Sequence, residues 1–116
     1  MLKYLASPYT DPDPAIRARR AREVCAVASE MIRRGYRVIT PIGMFHWMAI
    51  TCGLPTEANY WQELNRELLS KCHELWVLTL LGWQSSTGVN QEIIWARQLG
   101  IPIYLVNPAN LERIQI

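Results

Sequence analysis

Apolar and polar positions along the chain switch repeatedly between a strand-like and a helical period. LKYLA (2–6) is a short apolar run closed by the breaker-rich SPYTDPDP, as expected for a strand that feeds a loop. Asp13 and Pro14 then predict a helix start, with Asp13 as N-cap and Pro14 at the first helical position. Between Ala15 and Arg34 the residues Ala21, Val24, Cys25, Ala28, Met31 and Ile32 recur at helical spacing, and Gly35 supplies the stop. YRVIT (36–40) reads as a second strand halted by Pro41. The segment 41–60 carries a helical turn around Phe45 to Ile50 between breakers, so it predicts a long, partly helical excursion. Helical spacing resumes from Trp61 to Lys71, and LWVLTLL (75–81) is an unbroken apolar strand of the kind covered on both faces in a parallel sheet. The loop GWQSST leads into a helix from Gly88 to Leu99 that Gly100 ends. PIYLV (102–106) is the last predicted strand, and a short tail follows.

Strands alternating with helices predict an α/β fold: one domain over 1–116, with a four- or five-stranded parallel sheet between two helical layers. In such sheets ligands bind outside the carboxyl ends of the strands, where the strand order reverses. The loops SPYT and GWQSST are therefore the places to look.

Composition narrows the function classes. With 116 residues and half of them hydrophobic, the chain can bury a core. Its formal charge is only +2, and the cations concentrate in the first third of the chain, so no nucleic-acid partner is expected. No apolar run approaches the roughly 18 residues of a membrane span, and MLKYLASPYT is too short an apolar run for a signal peptide; no membrane partner is expected. Three cysteines, Cys25, Cys52 and Cys72, form no CxxC pair and fit reduced thiols in a cytoplasmic protein. Five Trp and five Tyr against one Phe suggest rings that keep a polar handle at a pocket or interface. GxGxxG, Walker A and G-x-S-x-G patterns are absent, which argues against dinucleotides, P-loop chemistry and a serine hydrolase. His46, His73, Cys52 and Cys72 lack metal-site spacing and read as structural, so neither a metal nor a cofactor is expected.

Polar residues on apolar faces carry the chemical signal. In the helix after the third strand, Val89, Ile93, Ala96 and Leu99 mark the buried stripe, and Glu92 falls inside it. A carboxylate there needs a partner, a proton or a cavity, because burying a bare charge costs several kcal/mol. Glu92 is either a nucleophile or base at a strand-end cavity, or a first-turn residue that caps its own helix. In the preceding helix Trp61, Leu64, Leu68 and Cys72 form the inward stripe, and Asn65 lies among them. That amide either binds a ligand or ties down a loop. Arg17 lies near the apolar side of the first helix and is the one early arginine placed to reach an anion at the strand ends. Ser7, Ser85, Ser86 and Thr87, with the amides of two helix N-termini, offer neutral donors for a phosphate or else simply shape their turns.

These residues carry a resemblance. YLASPYT at the start, W-x-x-x-N from Trp61 to Asn65, S-x-G-V-x-x-E from Ser86 to Glu92 and A-x-x-L-G-x-P from Ala96 to Pro102 resemble the nucleoside 2-deoxyribosyltransferase superfamily, closest to its short bacterial members. The resemblance implies a flavodoxin-like or Rossmann-like fold and cleavage or transfer at the N-glycosidic bond of a nucleoside or nucleoside 5'-monophosphate. Glu92 would attack the anomeric carbon, Tyr4 would orient its carboxylate, and Asn65 would face the base. Asn65 stands where the superfamily usually has Asp, and an amide cannot deliver a proton. Ser86, six residues before the glutamate, is more like the branch that hydrolyses deoxynucleoside 5'-monophosphates. Ser7, Arg17, Ser86 and Gly88 would then bind the substrate. A homo-oligomer is expected as well, since related sites are completed across subunits. The alternative is a nucleotide-binding or sensing module that keeps the fold without catalysis.

Overall fold

In a computed structural model describing residues 1–116, the elements follow in the order β1 (Leu2–Ala6), α1 (Pro14–Arg33), β2 (Arg37–Ile39), α2 (Pro41–Cys52), α3 (Ala58–Ser70), β3 (Glu74–Leu78), α4 (Thr87–Leu99), β4 (Ile103–Val106) and β5 (Arg113–Gln115). A single 3₁₀ turn at Trp83–Ser85 precedes α4. The five strands form one sheet in the order β2-β1-β3-β4-β5. The first four are parallel, and β5 runs antiparallel along the edge of β4. No helix is long and apolar enough to cross a membrane.

Alternation along the central strands fills both sides of the sheet. Leu5, Trp76 and Leu78 face α1 and pack with Val24, Val27, Ala28 and Met31. Tyr4, Ala6, Leu75 and Val77 point the other way, into a cluster with Leu69 of α3 and Val89, Ile93, Trp95 and Ala96 of α4. The result is a three-layer α/β sandwich. Around Trp76 the apolar layer is closed by cations as well as rings: the Arg113 guanidinium lies 4.5 Å from the indole centroid, and the Lys3 ammonium 5.9 Å. Arg113 thereby ties β5 to the core.

Asp13 caps α1 as expected, accepting from the Ala15 amide at 2.9 Å, and Gly35 takes a positive φ of 88° just past its end. Other expectations need correction. The tail after residue 106 contributes a fifth, antiparallel strand, so the sheet is not wholly parallel. The excursion at 41–60 is more helical than predicted: Pro41 opens a twelve-residue helix that Gly53 closes, and α3 begins at Ala58. Ile32, Leu64 and Leu99, placed on buried stripes from spacing, are exposed: in α1 the inward row stops at the correctly placed Met31, and in α3 and α4 Leu69 and Trp95 are buried instead.

The helix α2 rests on α1 at Gly43. A Cβ there would stand 2.9 Å from both Cys25 Sγ and Thr40 Cγ2. Gly43→Val is expected to lower the free energy of unfolding by about 1–3 kcal/mol through overpacking. Urea denaturation checks this, and unchanged stability would show that the α1–α2 contact yields freely.

Candidate active site

β1 ends at Ala6 and Ser7 follows it, β2 runs almost directly into α2, and α4 packs on the sheet through the layer that holds Tyr4. Because β1 pairs with β2 on one side and β3 on the other, its carboxyl end is where the winding direction reverses. A cavity of about 160 Å³ opens there. Its wall takes Ser7 and Tyr9 from the loop after β1, Ile42, Phe45, His46 and Ala49 from α2, Trp61, Gln62 and Asn65 from α3, and Thr87, Gly88, Gln91, Glu92 and Trp95 from α4.

Glu92 lies in the second turn of α4, between Val89 and Ile93, and only 9% of its surface is exposed. Its carboxylate accepts a hydrogen bond from the hydroxyl of Tyr4, which is wholly buried in β1. No lysine or arginine pairs with it. The carboxylate does not cap its own helix, since Ser86 does that by accepting from the Val89 amide at 3.3 Å. Burial pushes the Glu92 carboxyl up to about 7, with the Tyr4 hydrogen bond pulling it down in part. Burial first, and then the neighbouring Glu92 charge, hold the Tyr4 phenol well above its usual range, so Tyr4 remains a donor. The pair is an under-partnered carboxylate beside a cavity, poised to change charge near neutral pH.

Two further polar atoms face the same space without a protein partner. Ser7 Oγ is buried at 3% exposure, and Asn65 Oδ1 is buried on the inner side of α3. Buried polar atoms are nearly always paired, so each marks a place for a ligand group or water. The apolar walls come from Trp95, Ile42 and a stacked pair, Phe45 on Trp61, with centroids 5.2 Å apart and planes at 10°. The Trp61 indole is fixed by its bond to the Pro55 carbonyl at 2.8 Å.

The geometry thus gathers Glu92, Tyr4, Asn65, Ser7 and Gly88 at one place. Ser86 and Arg17 lie outside the lining. The Ser86 hydroxyl is occupied at the α4 cap, and Arg17 donates to the Asp11 carbonyl at 2.5 Å. His46, read as structural for want of metal spacing, instead lines the cavity, with Nδ1 2.5 Å from the Tyr9 hydroxyl. The sequence carries little signal for it: α2 is apolar on nearly every side, and only the fold shows that Ile42, Phe45, His46 and Ala49 form its inward row. Apart from Glu92, no acidic or basic side chain other than the His46 imidazole lines the wall.

Residues 2–107 match the sequence model of a family described as a domain of unknown function, DUF1937. No curated protein matches the chain.

The raised carboxyl makes stability depend on pH. The folded state holds Glu92 neutral until about 7, while in the unfolded chain it ionises near 4.5. The stabilisation is therefore complete below about pH 4.5 and is lost as pH rises to about 7. Across that interval the wild type should lose about 3 kcal/mol relative to Glu92→Gln, read as the difference between their urea-unfolding curves. A constant difference from pH 4 to 8 would contradict the burial. Tyr4→Phe removes the bond that lowers the carboxyl, so carbon-detected NMR titration should find Glu92 above about 7 in that variant; an unchanged or lower value would show the bond to be immaterial.

Proposed function

The chain belongs to the DUF1937 family, and on that premise and the geometry around Glu92 we propose that it cleaves or transfers the N-glycosidic bond of a nucleoside or nucleoside 5'-monophosphate. In this reading the family falls within the nucleoside 2-deoxyribosyltransferase superfamily and the fold is flavodoxin-like. The strand order 2-1-3-4-5, with its first four strands parallel, supports that assignment. The single observation that carries the function is the Glu92 carboxylate, buried at a strand-end cavity with the Tyr4 hydroxyl as its one hydrogen-bond partner.

A carboxylate so placed is suited to attack on an anomeric carbon. A Glu92 oxygen bonds to C1', the C1'–N bond breaks with its electron pair passing to the base, and a glycosyl ester forms. Water or a second base then attacks C1' and releases the carboxylate, as in double-displacement glycosidases, with oxocarbenium character in both transition states. Tyr4 keeps one carboxylate oxygen engaged and so aims the other. The stacked Phe45–Trp61 pair and Trp95 provide apolar surface for a planar base, and Asn65, Gln62 and Gln91 offer amides to its edge.

Of the two substrate classes, the lining favours the uncharged nucleoside. A phosphate calls for cationic or converging N–H donors. Arg17 and Ser86 are engaged elsewhere, leaving the amides at the start of α4 beside Gly88 as the one suitable group. A homo-oligomer remains part of the proposal, since Met44, Trp47, Met48 and Ile50 leave the outer side of α2 apolar.

Purified protein incubated with a panel of ribo- and 2'-deoxyribonucleosides and their 5'-monophosphates is expected to release base. Glu92→Ala should cut kcat/KM by at least about 10³-fold, and the wild-type value should fall as pH drops through about 7, where the carboxylate takes a proton. Binding that survives in Glu92→Gln with no turnover in the wild type would support the sensing module instead. Equal turnover in wild type and Glu92→Ala would refute the assigned nucleophile.

A further inference from the structure

Two polar groups on the cavity wall take no part in the scheme above, the Tyr9 phenol and the His46 imidazole. They come from different elements, the loop after β1 and the inward stripe of α2. The phenol oxygen is 2.5 Å from His46 Nδ1, and the rings meet edge to face with centroids 5.4 Å apart. His46 is 3% exposed, and its Nε2 makes no hydrogen bond within the protein.

Which of the two groups donates follows from their acidities. A neutral phenol is a stronger acid, and so a better donor, than the N–H of a neutral imidazole, and the imidazole's bare nitrogen is the better acceptor. The phenol hydrogen therefore turns to Nδ1, across the 2.5 Å contact. Burial, with the Arg17 and Arg22 cations, holds the imidazole below its ordinary range, while burial holds the Tyr9 phenol above its own. At neutral pH the pair is a neutral phenol donating to a neutral imidazole. A neutral imidazole that accepts at Nδ1 carries its proton on Nε2.

We propose that His46, locked by Tyr9 in the Nε2–H tautomer, donates a hydrogen bond to the base of the bound nucleoside and stabilises the charge that the base acquires as its glycosidic bond breaks. The proposal rests on the N-glycosidase reading. As Glu92 bonds to C1', the electron pair of the C1'–N bond spreads over the ring nitrogens and carbonyl oxygens of the base, where a fixed N–H donor is most effective. His46 transfers no proton in this step; water protonates the departing base. Neither Asn65 nor any other amide on the wall can transfer a proton, so the charge left on the base is met by fixed N–H donors, of which the imidazole is the more acidic kind. His46 would then be a catalytic residue and Tyr9 a positioning residue.

The test combines a tautomer measurement with a leaving-group series, both on the full chain. Long-range proton–nitrogen NMR of ¹⁵N-labelled protein at neutral pH should show His46 with Nδ1 bare and Nε2 protonated. In Tyr9→Phe the two tautomers should mix. A protonated Nδ1 in the wild type overturns the proposal without touching the role of Glu92. In turnover of 2'-deoxynucleosides, His46→Leu should lose about 10²-fold on ordinary bases and progressively less as the base becomes electron-poor and leaves more easily. His46→Gln, which keeps a side-chain N–H, should recover most of that loss. Tyr9→Phe should show the same leaving-group trend in milder form, which keeps the test open if His46→Leu does not fold. A deficit that is uniform across the series overturns the role of His46 alone. Wild-type protein that turns over none of the series overturns the N-glycosidase reading, and this role with it, whatever the tautomer.

Discussion

The hydrogen bond from the Tyr4 hydroxyl to the Glu92 carboxylate joins residues 88 positions apart and couples the first strand to the last helix. On its own terms it is a poor stabiliser. A carboxyl removed from water with one neutral donor is left largely unsolvated, which is why burial drives it toward the protonated form. What holds the pair in place is the apolar framework on either side of it. Val89, Ile93 and Ala96 dock α4 on the sheet, and Leu75 and Val77 flank Tyr4 in the same layer. The core thus supplies the free energy that keeps a destabilising group at the mouth of a cavity, an arrangement common where function sets the residue and stability yields.

The rest of the cavity extends the same economy of charge. Its polar groups are hydroxyls, amides and an imidazole, and several of them are short of partners: Ser7 Oγ, Asn65 Oδ1 and the Nε2 of His46. A site that presents unsatisfied neutral groups around one carboxylate is complementary to a molecule rich in hydroxyls and amides that gains positive charge at a single carbon. An oxocarbenium-like sugar attached to a heterocyclic base has that character. The exposed cations of α1 do not contribute to the wall, and their pairs, Arg33 and Arg34 with Glu30 and Arg19 with Glu23, lie at the surface.

Much of this could be read from the residues, and the failures have physical causes. Glu92 was legible because it interrupts a 3.6-residue stripe, a pattern that burial makes improbable without a reason. The central strands were legible because LKYLA is a short apolar run closed by breakers and LWVLTLL is apolar on both faces. Helix α2 was not, since PIGMFHWMAITC has apolar residues on every side and no periodicity to measure, although Pro41 and Gly53 bracket it as a start and stop. Strand β5 is three exposed residues, RIQ, whose pairing is decided by the free edge of β4 and by Arg113 reaching Trp76. His46 has no metal-site spacing around it and so carries no sequence signal of a ligand role, and a serine that caps a helix cannot be told by spacing from one that holds an anion, which is the case of Ser86. Which hydroxyl meets which ligand is a matter of side-chain direction, and spacing alone does not carry it.

The claim that Glu92 forms a bond to the sugar is tested most directly by trapping. Acid-quenching a reaction with a slowly resolved nucleoside, followed by peptide mass spectrometry, should find the mass of the anhydro-sugar added to the peptide that contains Glu92, with the modified carboxyl assigned by fragmentation. Base release at an undiminished rate with no adduct on that peptide, or with the sugar on another residue, would contradict the account.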